Sequence, residues 1–339
     1  MKRPEELHSL TGIRGVAALM VILLHADFAA VRMAGGTISD VIFRGGLFVD
    51  VFFVLSGFIL SHVYLTGRRG DEPFDWANFF LARFARIYPL HIATAFLSAL
   101  GLVIVAMLKN DVIPIEINLM QAVRELTLTQ AMPLLGSDEI WNSPSWSISV
   151  EFWTYFTVFP ILLWLTPRTS VKQTVLLSAV ILIIFVCFFP FIGTAARGWP
   201  AFCRAASEFT AGWAAWRVWN AGVKVTDWQV DVAFVTMFAL TQIGPHIWDP
   251  LQFTAVLLVP YILVGLVSSQ SIARRVSEHP IVMFLGAISF SMYLWHPLVL
   301  KILQVIAAKF PFLVGNVSVF VVATLTFTIP LSWASYIFF

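Results

Sequence analysis

Apolar residues along the chain gather into runs of about 20, the length a helix needs to cross a hydrocarbon core, with short polar breaks between them. Ten such runs stand at approximately 10–31, 47–66, 79–108, 145–166, 173–193, 200–219, 228–245, 251–269, 281–308 and 313–338. The pattern predicts an all-α fold: a polytopic membrane helix bundle of about ten transmembrane helices. The third run is long enough to begin in the interface. The sixth and seventh are the most broken, because Trp199, Arg204, Glu208, Trp228 and Asp231 interrupt or flank them. The longest connection, at about 109–144, carries Pro114, Pro133, Gly136, Asp138, Glu139 and Pro144. A short amphipathic helix is expected inside it at Leu119 to Leu128, placed like a lid on the outer mouth. With no long linker, low-complexity tract or clear repeat, residues 1–339 read as a single integral membrane domain.

Basic residues in the short connections set the orientation. With the amino terminus inside, one side holds Lys2, Arg3, Arg68, Arg69, Arg83, Arg86, Arg168, Lys172, Arg217, Lys224, Arg274 and Arg275. The other receives chiefly Arg32, Arg44, Lys109, Arg124 and Arg197. Both termini are therefore expected in the cytoplasm.

Composition agrees with a membrane protein. Hydrophobic residues make up 59% and charged residues 12%, about half the charged share of a soluble domain. The net charge of +2 gives no reason to expect nucleic acid, and the Phe and Trp excess suits lipid contact and interfacial belts. The first run lacks a small-x-small cleavage site, so it is expected to remain as the first span. Cys187 and Cys203 cannot build a disulfide framework or a multi-cysteine metal site. Two free apolar thiols are expected, and no metal.

Ionisable residues inside these runs then bear on chemistry, since such groups are costly and by default face a bundle interior with a function. Arg14 and His25 are eleven apart, so an α-helix brings them back to within about 20° of one direction with a rise of about 16 Å. Sorting by depth places His25, Glu151, Asp50 and His296 in an outer chamber, with Tyr293 one turn below His296. Arg14, Arg83, Arg86, Arg274 and Arg275 form an inner cationic group. Arg83 and Arg86 share a helix face, and guanidinium forks suit phosphate oxygens. The division suggests a phosphate-bearing activated donor inside and an acceptor approaching from outside, with a neutral histidine beside a carboxylate as general base. No GxSxG, P-loop, HExxH or CxxC motif offers another chemistry.

Each residue also has a structural reading. His25 could be satisfied by a helix carbonyl, Arg14 by an ion pair with a neighbouring helix, and Arg83 and Arg86 could be positive-inside anchors. Asp50 could cap span two, and His296 could serve a kink at Pro297. Glu151 could orient a histidine, bind acceptor hydroxyls or pair with Arg204, while Arg204 and Glu208 suit a local ion pair.

Six ordered stretches resemble the acyltransferase 3 family of integral membrane acyltransferases. They are LTGIRGVAALMVILLHA, GGLFVDVFFVLSGFIL, FFLARFARIYPLH, WSISVEFWTYF, RAASEFTAGW and LGAISFSMYLWHPL, and they cover most of the spans. The resemblance implies transfer from acyl-CoA to cell-surface polysaccharides, lipids or other acceptors. It implies His25 as the catalytic residue paired with Arg14, Arg83 and Arg86 on the CoA side, and Glu151 as the acidic residue of the fourth-span motif. The family often has a second acidic residue where this chain has Phe152. Members often continue past a Tyr like Tyr336 with a short tail containing Glu, so a tail or a partner protein is expected to complete the transfer.

The resulting expectation is a membrane O-acyltransferase, an acetyltransferase in the simplest form, in a bacterial inner membrane. Acetyl-CoA or another acyl-CoA would be the donor, with no permanently bound cofactor, and a glycan or glycolipid hydroxyl the acceptor. Catalytic roles fall on His25 and Glu151, donor binding on Arg14, Arg83 and Arg86, and acceptor contact on Asp50, Tyr293 and His296. The alternative is a transporter or flippase for a lipid-linked sugar or acyl donor, a class that often shows inverted repeats.

Overall fold

The computed structural model describes residues 6–36, 42–68, 73–108, 117–136, 140–192, 197–310 and 317–338. Lys2, Arg3, Arg69, Lys109, Pro114, Asp138 and Glu139 lie outside the described residues. The chain runs through helices α1 (His8–Met33), α2 (Phe48–Leu65), α3 (Trp76–Leu108), α4 (Leu119–Thr127), α5 (Ser145–Leu165), α6 (Val171–Ile192) and α7 (Gly198–Asn220). It continues through α8 (Asp227–Gln242), the single turn α9 (Gly244–Ile247) and a 3-10 stretch, Asp249–Leu258, that leads into α10 (Val259–Ser268). The last elements are α11 (Ile272–Ser277), α12 (Pro280–Ala287), α13 (Ser289–Ala307) and α14 (Val317–Phe338).

Among the described residues, eight helical segments are long and apolar enough to cross a membrane. The two broken runs are also helical: α7 carries Arg204 and Glu208 inside it, and α8 has only 16 residues. An all-α membrane bundle is therefore the fold, with a helix at each apolar run. One run departs from expectation. The stretch at 281–308 is two helices, broken at Ile288, where the Ser289 hydroxyl donates to the Gly286 carbonyl at 2.8 Å. Gly286 is pressed against α1, since a Cβ there would stand 1.9 Å from the Thr11 carbonyl oxygen.

Helix α1 lies at the centre, touching α2 and each of α10 to α14. The closest pairing elsewhere is α2 with α7, where small residues let backbones approach. A Cβ on Gly57 would lie 1.9 Å from the Phe209 carbonyl oxygen, and one on Gly212 would lie 1.9 Å from that of Val54. Phe48, Phe53, Phe58, Phe159, Phe209 and Trp213 fill the core around this crossing. Cys187 and Cys203 are free.

The expected amphipathic helix is present as α4, capped by the Asn118 side chain on the Gln121 N–H at 2.8 Å. Its polarity is inverted relative to a surface helix of a soluble protein. Gln121 and Glu125 are buried, while Leu119, Met120, Val123 and Leu126 are exposed. The buried face packs on α3, where the His91 Nε2–H donates to the Glu125 backbone carbonyl at 3.1 Å. Glu125 Oε1 accepts from Gln121 Nε2 and from the Trp141 N–H, each at 3.0 Å. Burial nevertheless pushes the Glu125 carboxyl up to about 7. Leu128 ends the helix in the left-handed region at φ 55°, a conformation that needs outside support. Ser149 and Trp153 of α5 supply it, donating to the Leu128 carbonyl at 2.7 and 3.0 Å.

Candidate active site

The site begins with a cavity of about 300 Å³ bounded by α1, α2, α3, α5 and α13. Three guanidinium groups, Arg14, Arg83 and Arg86, line it together with Glu151. The helical spacing of Arg83 and Arg86 brings both to this wall, and α1 contributes Arg14. None of the three makes an ion pair among the described residues. The Nε atoms of Arg14 and Arg83 are buried without a hydrogen-bond partner there. Arg14 reaches only Thr11 Oγ1, from Nη2 at 3.5 Å, and the Arg83 guanidinium stands 5.9 Å over the Tyr64 ring. Buried N–H donors are normally paired, so two unpaired ones facing a cavity make a ready seat for an anion.

Glu151 sits with these cations. Its Oε1 accepts a short bond from the Ser56 hydroxyl and one from the Tyr155 hydroxyl at 2.5 Å. The sequence reading grouped Glu151 with the histidines and not with the arginines; it lines the cavity with all three arginines and with Tyr293. Six residues into α5 it lies roughly 9 Å from the N-terminal end of that helix, and the long arginine side chains line the same cavity. Depth counted along helix axes therefore separated groups that side-chain length brings together.

The two histidines do meet. The His25 and His296 ring centroids are 5.1 Å apart, and Tyr293, which lines the cavity, is 5.9 Å from His296. Adjacent rings thus lead from the cavity to His25. His25 Nδ1 contacts the Val21 carbonyl at 2.8 Å, and His296 Nδ1 contacts that of Met292 at 3.2 Å. A carbonyl only accepts, so each Nδ1 carries the proton and each neutral ring presents Nε2 as its lone pair. The structural reading of His25 is thus satisfied at one nitrogen and leaves the other available. His296 Nε2 is buried without a partner among the described residues. Tyr293 is fixed by donating to the Pro144 carbonyl at 3.0 Å and by the Ser147 hydroxyl at 2.8 Å.

Asp50 is elsewhere. Its two oxygens take the Arg204 Nε and Nη2 of α7 at 2.7 and 2.5 Å, and the Arg204 guanidinium stands 5.4 Å over Trp146. Asp50 is therefore neither the cap of span two, whose N-cap is Leu47, nor part of the cavity wall. Arg204 and Glu208 are related as expected, but at 3.9 Å that contact is the weaker one. Arg274 pairs with Glu278 at 2.8 Å, outside the cavity.

Several residues were not anticipated. Tyr155 was accessible to sequence reasoning, being one helical turn from Glu151 on the same face. Ser56 and Tyr64 come from α2 and carried no local signal. Asp27, two residues from His25, is buried, and its Oδ2 accepts from the N–H groups of Ile42 and Phe43 at 2.6 and 2.8 Å. It fastens the α1–α2 connection beside the histidine pair. No group of three or more His, Cys, Asp and Glu suited to a metal occurs among the described residues.

This arrangement of cations, carboxylate and imidazoles can be set beside known proteins. Acyltransferase MdmB of Streptomyces mycarofaciens is 34% identical over 194 residues, covering 56% of this chain and 47% of that protein. Protein 2 in picA locus of Rhizobium radiobacter is 42% identical over 97 residues, covering 28% of this chain and 46% of its own length. A Staphylococcus aureus protein, strain COL, whose name provisionally assigns it as an O-acetyltransferase, is 20% identical over 322 residues, covering 87% of this chain and 51% of that protein. The chain thus spans about half the length of the curated relatives it matches. No solved structure matches. A family model described as an acyltransferase domain matches residues 7–337. The chain belongs to the acyltransferase 3 family of membrane proteins.

Proposed function

We propose that the protein is an acyl-CoA-dependent O-acyltransferase, acetyl-CoA being the simplest donor, that acylates a hydroxyl of an extracytoplasmic glycan or glycolipid in a bacterial inner membrane. The observation that carries this reading is the cavity with three guanidinium groups and a single carboxylate, two of the guanidinium groups having buried Nε atoms without a partner among the described residues. Acyl transfer is also the activity in the names of two relatives, and in the Staphylococcus aureus protein the name specifies oxygen.

In this reading the donor phosphates engage Arg83 and Arg86, with Arg14 in the same cavity. The pantetheine arm fills the cavity and brings the thioester toward Tyr293. The acceptor hydroxyl approaches the histidine pair from the other side. His25 Nε2 removes its proton as the oxygen attacks the thioester carbonyl, forming the C–O bond. Collapse of the tetrahedral intermediate breaks the C–S bond, and the imidazolium returns the proton to the departing thiolate. Glu151 is a positioning residue here: it holds Ser56 and Tyr155 and sets the field around the three arginines. Tyr293 and His296 bound the place where acceptor and thioester meet.

The test uses purified protein in proteoliposomes with radiolabelled acetyl-CoA and candidate glycans. Label in the glycan with wild type, and its loss in a folded, inserted His25→Ala variant, is expected. Movement of unmodified glycan without label transfer would favour transport and overturn the proposal.

A further inference from the structure

A second, larger cavity of about 710 Å³ opens at the same end of the bundle, between the C-terminal ends of α2, α5 and α7 and the N-terminal ends of α3 and α6. Nothing in the chemistry above uses it. Its wall sets Phe74, Trp76 and Trp164 beside Arg68, Arg168 and Arg217, with no carboxylate among the described lining residues. Three helix C-termini alone would make the region attractive to cations. The guanidinium groups of Arg168 and Arg217 oppose that sign. Arg217 donates to the carbonyls of Thr166 and Thr169, and Arg168 to that of Trp164 at 2.8 Å, but a neutral carbonyl leaves the charge uncompensated. The Arg168 guanidinium stands 4.6 Å over the Trp164 ring, and that of Arg68 5.2 Å over Phe74. Flat apolar faces beside guanidinium forks suit a ligand that is itself a flat aromatic ring carrying phosphates, because the ring stacks while the forks take the oxygens.

The two cavities lie on either side of one wall of packed side chains. Arg83, which lines the first, lies 5.9 Å over Tyr64; Tyr64 is 5.8 Å from Phe74, and Phe74 lines the second. A cavity of 300 Å³ is at the lower limit for a drug-sized ligand. Coenzyme A is larger than that, with an adenosine and its phosphates attached to the pantetheine arm.

We propose that the second cavity is the nucleotide subsite: the adenine ring and 3′-phosphate of the donor rest among Trp164, Arg168 and Arg68, while the pyrophosphate crosses Arg83 and Arg86 into the first cavity. This rests on the reading of acyl-CoA as donor. The test compares acetyl-CoA with S-acetylpantetheine, which lacks the nucleotide, in nanodiscs of neutral lipid, and measures direct binding of adenosine 3′,5′-bisphosphate. Trp164→Ala and Arg168→Ala are chosen because both side chains are at the surface and bear on folding least. Wild type is expected to bind the bisphosphate and to favour acetyl-CoA over the truncated donor in KM. Each variant is expected to shrink that preference about tenfold, the effect of one charge-assisted or stacking contact, and to weaken bisphosphate binding in parallel.

A preference that is absent in wild type, or unchanged in both variants, would overturn the subsite while leaving acyl transfer standing. Competition by anionic lipid without any bisphosphate binding would reassign the cavity to a lipid headgroup. Bisphosphate binding without acetyl transfer from either donor would retain the nucleotide subsite and reject the transferase reading.

Discussion

Removing the Asp50 carboxylate is the sharpest test of how the bundle separates its structural charges from its chemical ones. Asp50 is fully buried and holds Arg204 through two bonds, at 2.7 and 2.5 Å. In Asp50→Ala the arginine loses its two shortest carboxylate contacts and retains Glu208 at 3.9 Å on its own helix. Stranding one member of a buried pair destabilises by roughly 3–5 kcal/mol. Glu208 can rotate toward the vacated side, so the expected loss is at the lower end, about 3 kcal/mol. That still exceeds the average of about 0.6 kcal/mol for an interhelical polar contact in a membrane. Asp50→Ala/Arg204→Met, which removes both charges, is expected to recover a large part of it. Chemical unfolding in mixed micelles gives the stabilities, and transfer activity per folded molecule gives the function. Near-wild-type stability in Asp50→Ala, combined with a raised KM for acceptor, would refute this account and return Asp50 to the acceptor site.

Arg83→Gln should raise the KM for acetyl-CoA by one to two orders of magnitude with a smaller change in kcat, since one charge-assisted contact contributes roughly 1.5–3 kcal/mol; Arg83→Lys should fall between, lacking the fork. Gly57→Leu should force α2 from α7, lower the yield of folded protein and weaken the Asp50–Arg204 contact, read by unfolding and by limited proteolysis. The Glu125 carboxyl, raised to about 7 by burial against an ordinary 4.5, is protonated in the folded state over a range where the unfolded chain has lost the proton. With His91, Gln121 and the Trp141 N–H as its neighbours, the carboxyl's own contribution to docking should therefore be greatest below pH 4.5 and fall progressively up to pH 7 and just above, by roughly 3 kcal/mol in all. Hydrogen exchange in α4, corrected for intrinsic rates, should show this dependence as the difference between wild type and Glu125→Gln, since any titration of His91 is common to both.

The membrane class and the helices were legible because each depends on one local property, a run of apolar residues long enough to span. The break at Ile288 was not, because it arises where Gly286 meets α1, a contact distant in sequence. The same division applies to the site. Arg83 with Arg86 was readable from helical periodicity, and the His25–His296 meeting from counted depth. That Glu151 shares a cavity with the arginines was not readable, because helical rise locates a Cα while an arginine delivers its charge several ångströms away. Asp50 was misplaced for a related reason. Its partner, Arg204, is 154 residues away on α7, and only the close crossing at Gly57 and Gly212 brings the two together. Sequence reasoning found the amphipathic period of α4 and read it as a lid on the outer mouth, but the period alone does not say which face is covered, and in the bundle it is the polar one.

The central claim is that a phosphate-bearing donor occupies the cavity between Arg14, Arg83 and Arg86. A structure of the protein with a non-hydrolysable acetyl-CoA analogue tests it most directly. The account predicts phosphate density within hydrogen-bond distance of Arg83 and Arg86, and the acyl end pointing past Tyr293 toward His25. Phosphates bound at the opposite face of the bundle, with this cavity filled by side chains or lipid, would contradict it.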